Sequence, residues 1–597
     1  MTARAAVRAP GLWEETTMSV SDSKGPLGFL HKDNIVAEPG FNRWRVPPAS
    51  IAIHLCIGSV YAWSVFNPAL TRELGVVSAA GDDWSLSSVV WIFSVSIVFL
   101  GLAAAFGGKW LEKVGPRMVG VLAACLWGGG FVIGSLGIAA HQLWLVYLGY
   151  GVLGGCGLGL GYVSPVSTLI RWFPDRRGMA TGMAIMGFGG GAIIAAPLKG
   201  WLLSLYSKAP TFLGMSGEVA TTTEQGRLFV EQNGTMIEAV TATAAQAAQI
   251  EGVVTNGLYA VGTGDTGAAS TFLTLGIAYF VVMIIAAFGF RVPAKDWKPE
   301  GWQPKPESAS AGMITRSNVH IDQAMKTPQF WQLWLMLCFN VTAGIGVIGV
   351  AKTMMSEIYG TSMPLIVTAA FASTYVLMIS VFNMVGRFFW ASTSDYIGRK
   401  TTYTIFFVLG AALYLSIPFF ASATASDPSI IWLIGFYVAT MIIFTMYGGG
   451  FATIPAYLAD MFGTMHVGGI HGRLLTAWST AGVLGPLLIT SLRDMSVTSA
   501  ISDLAAKVDP AAFAEKFGAG LDQLDQLVAA KTVTIARLME IAPAGTVDPT
   551  SSLYNTTMYV MAALLVVAFF ANLMMRPVRE KHHYREADAG MSAVPGE

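Results

Sequence analysis

Charge is scarce in this 597-residue chain: Asp, Glu, Lys and Arg make up 12% of it, and 54% is hydrophobic. Soluble domains carry about twice that charged fraction, so an ordinary water-soluble fold is excluded. Its 36 basic and 36 acidic residues cancel, which argues against a nucleic-acid partner held on a basic surface. Only four cysteines occur, Cys56, Cys125, Cys156 and Cys338, all inside apolar runs. They read as small buried hydrophobes, neither a disulfide framework nor a metal site. No phosphate-binding Gly-Lys-Ser/Thr loop, His-Glu zinc helix or Gly-x-Ser-x-Gly nucleophile turn stands in a fitting context, so neither an enzyme nor a cofactor is expected. The glycine run Gly154 to Gly161 lies inside an apolar stretch with no preceding strand, which makes it a packing surface. Residues 1–42 lack an apolar core and read as a tail, not a signal peptide.

Long apolar stretches recur twelve times, at about 46–69, 86–107, 118–140, 143–170, 179–206, 270–290, 330–353, 364–390, 402–422, 430–457, 474–492 and 554–575. Each approaches or exceeds the roughly 20 residues that span a bilayer, and lipid admits such segments only as helices. The fold class expected is an all-α integral membrane protein of twelve spans in two six-helix halves. Lys and Arg cluster at one set of helix ends (Arg43, Arg45, Lys109, Lys113, Arg117, Arg171, Arg176, Arg177, Arg399, Lys400, Arg473, Arg576). By the positive-inside rule that side is cytoplasmic, and both termini lie there. The expected organisation is a tail at 1–42, a first half at 43–290, a Pro-rich cytoplasmic linker at 291–328, a second half at 329–576 and a tail at 577–597. Two long extracytoplasmic loops, 207–269 and 493–553, follow the fifth helix of each half. Both show modest helical patterning, around Val240–Val253 and Asp522–Ile541, and read as caps or as walls of the outer mouth.

A short motif repeats in register with the halves. After the second run come Gly107, Gly108, Lys109, Glu112, Gly115 and Arg117; after the eighth come Asp395, Gly398, Arg399 and Lys400. An acid at a helix end beside a tight glycine turn can pair with basic residues on neighbouring helices and lock that face. Gly108, Glu112, Gly115, Arg117, Asp395, Gly398 and Arg399 are therefore the candidate gating residues.

These motifs resemble the major facilitator superfamily, and within it the oxalate:formate antiporter family. The resemblance rests further on Arg43-Trp44, on Tyr61-Ala62-Trp63-Ser64 and on Arg171-Trp172-Phe173-Pro174-Asp175-Arg176-Arg177-Gly178. Thr327-Pro328-Gln329-Phe330-Trp331 and Gly386-Arg387-Phe388 complete it, over about residues 43–580. It implies two six-helix halves rocking about a midplane site, a multi-pass monomer of the plasma membrane, and a small organic anion as the partner.

Arg387 is the only charged residue between Met363 and Trp390, and no Asp or Glu lies deep in any apolar run. Eight residues separate it from Asp395, roughly 12 Å along a helix. A charge at that depth survives where it faces a protein-lined cavity, and a cavity with only positive charge calls for an anion. Snorkelling back to Asp395 is the structural alternative. By resemblance Arg387 binds substrate, and Tyr61, Trp63, Tyr162, Phe188, Tyr447 and Phe451 line the cavity. The family resembled places a lysine facing that arginine on the eleventh helix, where this chain has Trp478. The departure favours a monocarboxylate such as formate or pyruvate over oxalate, with Lys199 and Lys352 as candidate replacements. His54 reads as a core histidine or as a proton relay.

The function expected is secondary transport of small carboxylates by anion exchange. The alternatives are a carrier of another solute, a proton-coupled monocarboxylate symporter, or a membrane sensor on the same scaffold. The tails are too short and polar to supply the last with a signalling domain.

Overall fold

The computed structural model describes residues 25–583, apart from 225–226, 243–251, 296, 303–313, 316, 518–519, 530–532 and 534. Twelve helices among these are long and apolar enough to cross a membrane. They are α1 (Arg43–Val65, α-helical over Val46–Gly58), α2 (Leu86–Val114), α3 (Pro116–Ala139), α4 (Leu143–Trp172), α5 (Arg177–Tyr206) and α6 (Ala268–Phe288) in the first half. The second half holds α7 (Pro328–Tyr359), α8 (Ala369–Ile397), α9 (Arg399–Ser426), α10 (Ile430–Phe462), α11 (Val467–Ala505) and α12 (Asn555–Leu573).

Three departures from regular helix matter. Past Gly58, α1 tightens into a 3-10 stretch, Ser59–Val65, in which Ala62 has non-helical dihedrals (φ −95°, ψ 24°). The glycine-rich part of α4 widens into a π-helical stretch, Tyr147–Gly154. A short helix, Val467–Leu474, opens α11 before the chain resumes at Thr476. Beyond its apolar portion α11 continues as a polar helix to Ala505, where the sequence suggested that a loop had begun at 493.

The two repeated turns take the same form. Gly115 (φ 93°) stops α2 and starts α3; Gly398 (φ 86°) stops α8 and starts α9. Positive φ is a glycine conformation, and it lets successive helices reverse direction with one residue between them.

Between α5 and α6 the chain builds a five-stranded antiparallel sheet: β1 (Phe212–Met215), β2 (Thr221–Glu224), β3 (Arg227–Gln232), β4 (Thr235–Thr241) and β5 (Gly257–Ala260), in the order β1-β5-β4-β3-β2. The helix suggested at Val240–Val253 is thus corrected at its start, since Val240 and Thr241 are strand; residues 243–251 lie outside the described residues. Asn233-Gly234, both with positive φ, turn β3 into β4 and were the overlooked signal of a hairpin. The sheet is tied to the α1–α2 loop by an Arg227–Asp82 ion pair and by Gly262 N–H donating to the Leu74 carbonyl. In the second long loop, short helices at Leu524–Ala529 and Ile535–Met539 fall within the patterned stretch 522–541.

The halves meet along α5 and α8 and along α2 and α11, at the basic helix ends. Asp395 of α8 accepts from the backbone N–H groups of Gly178 (2.8 Å) and Met179 (2.9 Å) at the start of α5. Glu112 of α2 accepts from Gly468 N–H (3.0 Å) at the start of α11 and pairs with Arg171. Each repeated acid therefore caps a helix of the opposite half, where unpaired donors and the helix dipole both favour a carboxylate. Arg177 bonds Asp460 (2.9 Å), which also accepts from Arg399 (3.0 Å), and Arg399 bonds Asp395 (2.6 Å). A Cβ on Gly108 would lie 2.7 Å from the Gly468 carbonyl oxygen, so glycine is what permits this approach of α2 to α11. Arg117 does otherwise than expected: it donates to the carbonyls of Phe29, Phe288 and Phe290. It closes the end of α6 within its own half and does not cross the interface.

Candidate functional site

One turn before Arg387 on α8 lies Asn383, whose Oδ1 accepts from the arginine Nε at 3.0 Å. That bond orients the guanidinium and leaves Nη1 and Nη2 buried without an acceptor among the described residues. Arg387 does not fold back to Asp395. Its guanidinium carbon stands 5.7 Å from the Phe188 ring centre and 5.1 Å from that of Phe451. Gly189 on α5 makes room for it, since a Cβ there would sit 2.9 Å from the Arg387 Nε.

Trp478 forms the hub of the surrounding aromatics. Its ring lies 4.5 Å from Phe451, 5.3 Å from Phe188, 5.4 Å from Tyr162 and 6.3 Å from Tyr61. Tyr61 meets Phe188 edge-on at 5.1 Å, and Tyr447 meets Phe451 at 5.3 Å. Helices of both halves thus contribute to one cluster: α4, α5 and the 3-10 end of α1 from the first, α8, α10 and α11 from the second. The indole Nε1 of Trp478 and the amide nitrogen of Asn340 are also buried without a partner among the described residues, while the Tyr61 and Tyr162 hydroxyls stand toward the Arg387 guanidinium and that of Tyr447 toward Tyr61. The three tyrosines all interact electrostatically with Arg387. Each such orphan costs free energy, and an unpaired buried guanidinium costs several kcal/mol. An acceptor carrying negative charge would pair with the Arg387 Nη1 and Nη2 groups and relieve the largest of these costs.

Three residues suggested for this site lie elsewhere. Trp63 packs within the first half, 4.5 Å from Tyr150 and 6.2 Å from Phe272. The irregular dihedrals at Ala62 between it and Tyr61 send the two rings to different sides. Lys199 is buried, but its Nζ donates to the carbonyls of Ser59 (2.8 Å) and Ala62 (3.3 Å) and sits over the Phe66 ring. The break in α1 frees carbonyls from helical bonding, and they hold the ammonium away from Arg387. Lys352 is exposed near the far end of α7, apart from the aromatic cluster.

Several residues escaped notice in the sequence. Asn383 could have been found as a polar residue one helical turn from Arg387. Asn340, in α7, offered no such signal. Asp460 and His471 fell between the apolar runs, because hydropathy placed the end of α10 and the start of α11 too far from each other.

The family model described as Major Facilitator Superfamily matches residues 49–218 and 233–486. The chain is 25% identical over 445 residues to the oxalate:formate antiporter of Oxalobacter formigenes, covering 74% of this chain and 83% of that protein. It is 22% identical over 478 residues to apicoplast pyruvate carrier 1 of Toxoplasma gondii, covering 71% and 78%. Among solved structures, a bacterial homologue of the iron transporter ferroportin in an outward-facing state superposes with a TM-score of 0.51 at 11% identity. That match covers 88% of this chain and 98% of the other, a likeness of fold alone.

Proposed function

Because the chain belongs to the Major Facilitator Superfamily, and so is a multi-pass membrane transporter and not an enzyme, we propose that it carries small carboxylate anions by alternating access. The observation that carries this reading is Arg387, whose two terminal nitrogens are buried without an acceptor inside a ring of donor-bearing aromatics. A guanidinium fork matches a carboxylate bidentately, and the Tyr61, Tyr162 and Tyr447 hydroxyls can donate to the same anion. The oxalate:formate antiporter and the pyruvate carrier to which the chain is similar bear names of small carboxylates, which supports the same class. One guanidinium, with Trp478 beside it, suits a monocarboxylate such as formate or pyruvate.

The transport cycle follows from electrostatics. The basic helix ends, taken as cytoplasmic by the positive-inside rule, are held shut by the Glu112 and Asp395 caps. Opening there while the other side closes requires the halves to re-pack around Arg387. With an anion bound, the closed site contains a neutral pair; empty, it contains an uncompensated charge. The loaded carrier therefore changes face faster than the empty one, which is anion exchange. The carrier works as a monomer in the plasma membrane with both termini inside.

The test is uptake of labelled formate, pyruvate and oxalate into proteoliposomes of the purified protein, with and without carboxylate inside. Uptake confined to loaded vesicles supports exchange. Equal uptake into empty vesicles overturns exchange, and no uptake of any acid overturns the substrate class.

A further inference from the structure

One edge of the Arg387 guanidinium is walled off from both halves. On its own helix, Asn383 accepts the Nε hydrogen at 3.0 Å. From α5 of the other half, the Gly189 backbone stands so close that a Cβ there would lie 2.9 Å from the same Nε. Asn383 is itself held in place. It is 4% exposed, and a Cβ on Gly448 of α10 would run into its carbonyl oxygen and lie 2.7 Å from its Oδ1. Glycine at 448 therefore lets α10 press directly on Asn383. Because Nε can only donate, the amide atom facing it is the oxygen. The opposite edge is free: Nη1 and Nη2 are buried with no acceptor among the described residues.

Resting on the carboxylate reading above, we propose that Asn383 is a positioning residue for the anion. It turns the guanidinium so that a carboxylate is held end-on by Nη1 and Nη2, and its neutrality leaves the positive charge of Arg387 to the substrate. An arginine fork can grip a carboxylate through Nε and one Nη group, or through the two Nη groups together. With Nε taken and its flank filled by Gly189, only the second grip remains. The carbon chain of the acid then points away from the arginine stem, along the guanidinium axis.

The same helix shows what a charged residue at this spacing does. Asp395 and Arg399 are also four residues apart, and there the carboxylate closes an ion pair at 2.6 Å. Residues at that spacing share a helix face and reach one another. At the gate the acceptor is an acid and the arginine is neutralised. At the site the acceptor is an amide, which takes one N–H and brings no charge. The empty, closed carrier thus keeps the uncompensated charge on which exchange depends.

The test is the affinity of the purified full-length protein for formate and pyruvate by calorimetry, beside its melting temperature without anion. Asn383→Asp keeps the shape and adds the charge. Its affinity should fall at least about tenfold while its melting temperature holds or rises, because Arg387 is now paired. Asn383→Leu removes the acceptor at similar volume, and its affinity should fall about fivefold for one orienting hydrogen bond. A residue that only braced α8 against α10 would lower the melting temperature in both variants and leave affinity alone. Asn383→Asp binding formate within about threefold of the wild type overturns the proposal, whatever Asn383→Leu does. A structure of the wild type with pyruvate checks the geometry without any variant, and decides alone should neither variant fold. Both carboxylate oxygens should face Nη1 and Nη2 with Nε still on Asn383, and an oxygen on Nε overturns the proposal. Failure of the wild type to bind either acid instead overturns the carboxylate reading, and this proposal with it.

Discussion

Asp395 sits at the end of α8 and receives the backbone N–H of Gly178, at the start of α5, at 2.8 Å. Its repeat counterpart Glu112 receives Gly468 N–H at 3.0 Å. The motif repeated along the chain thus works crosswise: an acid from each half caps a helix of the other. Charge-assisted bonds of this kind contribute about 1.5–3 kcal/mol each. Asp395→Asn and Glu112→Gln should each lower the melting temperature and loosen the basic face. The two caps share no partner, so in the double variant the losses should sum within about 0.5 kcal/mol. Denaturation of the single and double variants measures this.

Arg387→Gln should abolish carboxylate binding while the melting temperature holds or rises, because a buried uncompensated charge has been removed. Arg387→Lys keeps the charge but loses the planar fork, and its affinity should fall at least about tenfold. Thermal melts with and without anion separate the two effects. Unchanged affinity in Arg387→Gln would remove this residue from the site.

Trp63 and Trp478 should respond differently to truncation. Trp63→Ala opens a void among Tyr150, Phe66 and Phe272, and should cost about 3–5 kcal/mol of stability with little change in which acid is preferred. Trp478→Ala enlarges the space beside Arg387 and should shift preference toward bulkier acids. Competition uptake with a graded series of carboxylates reads the difference.

Lys199→Met should leave anion affinity unchanged, since the Lys199 Nζ is committed to the Ser59 and Ala62 carbonyls. Stability should fall by about 1–3 kcal/mol for acceptors left unpaired. A tenfold loss of affinity without a loss of stability would return Lys199 to the site.

Asp322, on the linker beside the basic face, bonds Arg473 at 2.6 Å, and that hydrogen bond holds its carboxyl below the usual range. The sign follows: a depressed carboxylate stabilises above the unfolded value, about 3.9, and that contribution is lost only as pH falls through the lower folded value. Between about pH 5 and 8 this contact should therefore add no pH dependence. Limited proteolysis of the linker should run at equal rates at both ends of that range in the wild type, and faster in Asp322→Asn.

The twelve helices were legible because lipid imposes a length and a composition that a linear scan detects. The repeated turn was legible because positive-φ glycine and a helix-capping acid are local requirements, met within a few residues of chain. Arg387 could be singled out in the same way, as an isolated charge in an apolar run. The β-sheet was not, because strand pairing in a polar loop depends on partners distant in sequence, and only Asn233-Gly234 signalled it locally.

By itself, then, the sequence determined the membrane class, the helix count, the repeat and the isolated cation Arg387 in its apolar run. Only the tertiary structure decided which aromatics surround that cation. Tyr61 and Trp63, two residues apart, part company at the break in α1, and Lys199 is drawn to the carbonyls that break exposes. Gly189 comes to stand beside the Arg387 Nε only because the two halves pack together. Hydropathy records whether a residue can lie in a membrane; the neighbour it faces there is set by contacts between helices far apart in the chain.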